Sequence, residues 1–163
     1  MKKNLRLAVF FVAFFSVSSL QVRAQFVKED FSTFQKRLQQ ENDTLYVYNF
    51  WATWCRPCVA ELPYFEQLRG EYENQKVKVV LVSLDFPEQV DRSLKPFLKK
   101  KKLQSEIVLL DALTEKGWIP TISPEWSGAI PATLLVRQSD STYQFKEQDF
   151  EYEPLKEWVE GYL

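Results

Sequence analysis

The sequence predicts an α/β fold with a mixed central sheet flanked by helices. Three observations carry that prediction. Two apolar runs, residues 44–50 and 77–84, are apolar on both faces and read as buried central strands. Segments with helix-spaced apolar residues separate the strand-like runs, an alternation that belongs to α/β sheets. Near the end, residues 132–137 and 142–147 flank Gln138-Ser139-Asp140-Ser141 and read as a hairpin, which makes the sheet mixed.

Taken in order, residues 1–24 read as a secretory signal peptide. Lys2, Lys3 and Arg6 precede the unbroken apolar run 7–15, and Val22-Arg23-Ala24 ends in the small residue a cleavage site needs. The apolar run is short for a bilayer span; retention as an N-terminal anchor is the alternative. One domain is expected over residues 25–163. Residues 25–42 read as an amphipathic helix with Phe31, Phe34 and Leu38 on one side. After the strand 44–50, a helix over residues 57–73 carries Leu62, Phe65, Leu68 and Tyr72 at helical spacing, with Pro63 expected to kink it. The strand 77–84 leads to a charged crossover helix within residues 88–102, which Pro96 makes start late or bend. Residues 105–110 form another strand. Gly117, Pro120, Pro124 and Gly128 limit residues 112–128 to a short helix and a loop. Residues 152–162, with Leu155, Trp158, Val159 and Tyr162 apolar, close the chain as a helix.

Composition narrows the chemistry. The formal charge is −1; without residues 1–24, which carry four basic residues and no acidic one, it is −5, so nothing favours nucleic acid. Histidine is absent, which removes the commonest general base and metal ligand. No metal and no cofactor are expected, and the protein is expected to be a monomer. The two cysteines, Cys55 and Cys58, cannot staple a 163-residue chain. They lie three residues apart at a strand-to-helix turn, where both thiols fall on nearly one helix face and can close a small disulfide ring. A loop that short removes little chain entropy, so redox chemistry outweighs a structural role. Cys55 stands at the helix start, where unpaired N–H groups and the positive end of the macrodipole favour thiolate; Arg56 adds a positive charge. Cys55 is therefore the nucleophile and Cys58 the thiol that resolves the mixed disulfide.

The run Trp51-Ala52-Thr53-Trp54-Cys55-Arg56-Pro57-Cys58, followed by Glu61-Leu62-Pro63 and, far downstream, by Gly128-Ala129-Ile130-Pro131, resembles the thioredoxin-like family. The resemblance is to its extracytoplasmic thiol-disulfide oxidoreductase branch, the ResA/TlpA type, and covers most of the chain after about residue 40. It implies a thioredoxin fold, here with an added N-terminal helix and a strand-helix insertion before a cis-proline loop at Ile130-Pro131. It implies that Glu61 is an active-site residue; helical spacing puts Glu61 near the face of Cys58, where it suits accepting that thiol's proton, although an acidic residue near a helix start also fits the dipole. Asn49 stands where thioredoxin carries a buried aspartate, either moving proton exchange to Glu61 or simply satisfying backbone groups. Trp54 and the backbone at Ile130 and Pro131 are expected to meet the substrate, Trp51 to be core, and Trp126 to be either. The four lysines 99–102 read as a solvated helix face or a docking patch. The resemblance further implies reduction of disulfides in secreted or periplasmic proteins, among them those of cytochrome c maturation, with electrons from a membrane thiol reductase. A peroxide-reducing redoxin and a non-catalytic thiol chaperone for a soft ion such as copper(I) are the alternatives.

Overall fold

The computed structural model describes residues 26–112 and 114–163; the expected signal segment lies outside them. The sheet is built around β2 (Leu45–Trp51), which pairs in parallel with β3 (Val77–Ser83) and antiparallel with β5 (Ala132–Arg137). Beyond β3 come β4 (Glu106–Asp111) and then β1 (Phe26–Asp30), both parallel; beyond β5 comes β6 (Thr142–Lys146), antiparallel. The full order is β1-β4-β3-β2-β5-β6, a mixed sheet as expected. The strand-helix insertion is β4 with the short α4 (Trp118–Ile122), and β4 enters the sheet between β3 and β1.

Alternation along β2 divides the core in two. Leu45, Val47 and Trp51 pack on the side of α2 (Arg56–Glu71), α3 (Leu94–Lys101) and α5 (Tyr152–Glu160). Tyr48 and Phe50 pack on the other side, against Phe34 and Leu38 of α1 (Phe31–Leu38) and Trp118 and Ile122 of α4. Both faces are covered, which is why β2 and β3 read as continuous apolar runs. Trp51 is fully buried as expected, and Trp126 proves to be core, its indole N–H donating to the Ala129 carbonyl. α3 starts late, with Pro96 in its first turn, where a missing N–H costs nothing. Lys99, Lys100, Lys101 and Lys102 are all exposed at its C-terminal end, where the dipole favours cations.

The single N-terminal helix expected over residues 25–42 is corrected. Residues Phe26–Asp30 are instead an edge strand, and the helix begins at Phe31. Asp30 caps α1 by accepting from Thr33 N–H at 2.7 Å, so the helical pattern of Phe31, Phe34 and Leu38 starts where the strand stops. Upstream of that cap, ladder bonds to β4 and ion pairs outweigh local helical preference. Lys28 meets Asp111, and buried Glu29 takes a bidentate pair of bonds from Arg37 of α1.

The turn between β2 and α2 is held from beneath by Asp85, which follows β3 and is buried. Its carboxylate accepts from Thr53 N–H at 3.1 Å, from the Thr53 hydroxyl and from the Ser83 hydroxyl at 2.8 Å. Leu84 N–H donates to Trp51 O at 2.7 Å, and Cys55 N–H to Ala52 O at 3.1 Å, so the turn is fixed at both ends. Asp85→Ala leaves the Thr53 amide without its acceptor and is expected to lower the unfolding free energy of the oxidised protein by about 2–3 kcal/mol. Asp85→Asn keeps one acceptor oxygen and is expected to lose less. Denaturant titration of the two variants checks the order.

Candidate active site

α2 begins immediately after Cys55, which is its N-cap: Cys55 Sγ accepts from Cys58 N–H at 3.3 Å, and Val59 N–H donates to Cys55 O at 3.0 Å. Pro57 sits in the first turn, where its missing N–H costs no bond, and the helix continues through Pro63. Cys55 and Cys58 are joined as a disulfide, their Cα atoms 5.3 Å apart. Cys55 keeps 6% exposure and Cys58 none, so of the two residues only Cys55 reaches the surface. That sulfur lies where amide donors and the positive end of the helix dipole stabilise a thiolate once the pair is reduced.

The flanks of Cys55 come from three segments. Trp54 precedes it and is 57% exposed, its ring stacked on that of Phe86 from the loop after β3, with centroids 6.4 Å apart. Ile130 stands opposite, its carbonyl oxygen 3.6 Å from Cys55 Sγ, and the Ile130-Pro131 bond is cis. Thus Cys55, Cys58, Trp54, Ile130 and Pro131 come together as the sequence suggests. Two surface depressions, of about 220 Å³ beside Arg69 and Gln104 and about 400 Å³ beside Asn42 and Gln138, include neither cysteine. Among the described residues no cluster of His, Cys, Asp and Glu side chains could hold a metal ion.

Glu61, one helical turn after Cys58, points into the core and is 2% exposed. Its Oε1 accepts from Asn49 Nδ2 at 2.7 Å and its Oε2 from Phe150 N–H at 2.8 Å. Among the described residues no cation pairs with it. Burial pushes its carboxyl up to about 7, against the downward pull of the Phe150 and Asn49 donors, and the charge of Asp149 adds to the rise. A carboxyl poised there can take up or give away a proton at neutral pH. Asn49 therefore bonds to Glu61 itself. It does not satisfy backbone groups, the other role the sequence allowed.

Asp85, Thr133, Phe86 and Phe150 are the site neighbours that sequence reasoning missed. Asp85 carried a signal, a carboxylate directly after a buried strand. Thr133 carried a weaker one, a hydroxyl on the strand that follows Pro131. Phe150 acts through its backbone N–H, which leaves no side-chain signature.

The model of the AhpC/TSA family matches residues 20–139. The sporulation thiol-disulfide oxidoreductase A of Bacillus subtilis is 32% identical over 114 residues, which is 70% of this chain and 66% of that protein. The thiol-disulfide oxidoreductase ResA of Bacillus cereus is 28% identical over 115 residues, 71% of this chain and 59% of that protein. The chain thus spans less than two thirds of the length of these relatives. Among solved structures, StoA from Bacillus subtilis superposes with a TM-score of 0.55 at 29% identity, covering 72% of this chain and 84% of that one. A thioredoxin-related protein from Neisseria meningitidis serogroup B shares the fold, with a TM-score of 0.61 at 22% identity over 76% of this chain and 87% of that one. Because the family match runs unbroken through the cysteine turn, the cis-proline and all of β5, this chain belongs to the AhpC/TSA family of thioredoxin-like proteins.

Proposed function

We propose that the protein is an extracytoplasmic thiol-disulfide oxidoreductase that reduces disulfides in other secreted proteins, those of cytochrome c maturation among them. The observation that carries this reading is a disulfide at a helix tip of which Cys55 alone reaches the surface, with the Ile130 carbonyl beside its sulfur. In the reduced protein the Cys55 thiolate attacks one sulfur of a partner disulfide, forming the mixed disulfide and expelling the other partner sulfur as thiolate. Cys58 then loses its proton to Glu61 and attacks Cys55. The Cys55–partner bond breaks, and its electron pair leaves on the partner sulfur, which takes up a proton. Two electrons have passed to the partner, and the Cys55–Cys58 disulfide remains. A membrane thiol reductase would restore the dithiol.

Cys55, Cys58 and Glu61 are the catalytic groups of this reading. Trp54, Ile130 and Pro131 form the surface that meets the partner, where the free backbone of Ile130 can pair with an extended peptide. The compartment is supported by the basic and apolar pattern of residues 1–24; among the described residues no helix is long and apolar enough to cross a membrane. Placement of both sulfurs within one helical turn favours dithiol exchange over peroxide reduction.

A Cys58→Ser variant is expected to accumulate covalent complexes with partner proteins through Cys55, released by dithiothreitol and missing from a Cys55→Ser control. Titration of the pair against glutathione is expected to give a reducing potential; a value near about −120 mV, that of a strong oxidant, would overturn the reductase direction. Glu61→Gln is expected to slow release of the mixed disulfide by about 100-fold, the lower end of general-base effects, with little change in its formation. Equal slowing of both steps in rapid mixing would remove the role. Glu61 also couples stability to pH. Its carboxyl is raised from 4.5 to about 7 in the folded protein, so the folded state holds the proton more tightly. Its stabilising contribution is complete below about 4.5 and is lost as pH rises through about 7. Unfolding free energies of the oxidised protein are expected to fall across that window, and to fall less in Glu61→Gln.

A further inference from the structure

Asn49 is the one polar residue on the α2-facing side of β2, between Val47 and Trp51, and it is fully buried. The register sets Thr133 of β5 directly opposite it. Asn49 Nδ2 lies 2.7 Å from Glu61 Oε1 and 3.3 Å from Thr133 Oγ1. Its Oδ1 has no hydrogen-bond partner among the described residues. A buried carbonyl oxygen without a donor costs free energy, and such a group in a folded interior calls for an explanation.

The other state of Glu61 supplies one. In the arrangement described, both carboxylate oxygens accept, Oε1 from Asn49 and Oε2 from Phe150 N–H. The Phe150 donor is backbone and cannot reverse. When Glu61 gains a proton on Oε1, its O–H meets the Nδ2–H groups, donor against donor. Half a turn about the last torsion of Asn49 puts Oδ1 in that place, at a separation suited to O–H···O. The Thr133 hydroxyl, donor or acceptor alike, then donates to the same oxygen. Because nothing holds Oδ1 on its present side, the turn breaks no bond there. An aspartate at 49 would bring a second charge, and a leucine would offer neither donor nor acceptor.

We propose that Asn49, steadied by Thr133, is the positioning residue for Glu61, its amide turning with the carboxyl's protonation so that Nδ2 donates to the carboxylate and Oδ1 accepts from the acid. This rests on Glu61 being the proton acceptor for Cys58. In the step it serves, the Cys58 S–H bond breaks and its proton goes to Glu61 Oε1. The freed electron pair on Cys58 sulfur forms the bond to Cys55 while the partner thiolate leaves. Glu61 later returns its proton to solvent. Asp149, on the connector before α5, is the charge acting on Glu61 from outside α2. On its own helix, Cys58, once reduced, is the titratable group one turn before it. β2 and β5 present Asn49 and Thr133 to it, and α5 sends apolar Leu155 and Val159 into the same core.

The test uses the whole protein. In the oxidised wild type, the side-chain amide resonances of Asn49 are followed against pH by NMR together with the Glu61 carboxyl. They are expected to shift with one shared midpoint, near 7, and to stay constant in E61Q. In N49L, which loses a donor to the carboxylate, the pH midpoint of mixed-disulfide resolution is expected to move up by about one unit, with about a fivefold slower step at pH 7. Asn49 resonances indifferent to pH while Glu61 titrates would overturn the turning amide and leave the role of Glu61 standing, as would an N49L profile with an unmoved midpoint. An E61Q enzyme with the wild-type pH profile of resolution would overturn both. The NMR titration needs no substitution at position 49, so the outcome is decided even if N49L does not fold.

Discussion

Everything at the site depends on β2 being paired on both sides with opposite senses. Its parallel neighbour β3 ends where β2 ends, with Trp51 beside Ser83. Its antiparallel neighbour β5 begins there, with Phe50 beside Ala132. One edge of the sheet therefore receives three chain segments at once: the cysteine turn leaving β2, the Asp85-Phe86 loop leaving β3 and the cis-proline arriving at β5. A helix at that edge meets the sulfur with its N-terminus, the end with free donors and positive potential. The fold thus generates the electrophile-facing sulfur, its backbone neighbour and its aromatic flank from strand direction alone.

Two buried carboxylates lie close along the chain to this edge, and among the described residues neither has a cationic partner in hydrogen-bond contact. Asp85 is surrounded by hydroxyl and amide donors drawn from the turn it supports, and its acceptor sites are filled. Glu61 has one donor per oxygen, one of them on a side chain that can reverse. Filled donors fix an anion in place, whereas a sparse and reversible set leaves its proton exchangeable. The same residue chemistry therefore serves architecture at one position and, in the proposed mechanism, proton transfer at the other.

Most of the fold was legible because its signals are local. The apolar runs of β2 and β3, the hairpin, and the late start of α3 at Pro96 each follow from a few adjacent residues. The cysteine turn was legible for the same reason: capping, proline placement and thiol spacing sit within four positions. The cis bond before Pro131 was accessible only through family resemblance, since local sequence does not distinguish it. β1 was misread because its five residues, Phe26–Asp30, are mostly exposed and charged; what makes them a strand is the vacant edge of β4, a partner some eighty residues away. The surroundings of Glu61 escaped for a related reason. Alternation along β2 placed Asn49 on the correct face, yet its partner on α2 and the Phe150 amide became neighbours only through packing of α5 on α2.

The rims of the sheet carry a further meaning. β1 and β6, the outer strands of the sheet, are both five residues long and each bears charge: exposed Lys28 and Asp30 on β1, Lys146 on β6. Short, charged borders are poor templates for a stranger's backbone. A polypeptide that has just lost a disulfide is itself partly unfolded and rich in unpaired amides, the kind of chain that adds to any open border it meets. Under the proposed function, borders of this kind let such a client depart without being nucleated into an aggregate on the surface of the protein that released it.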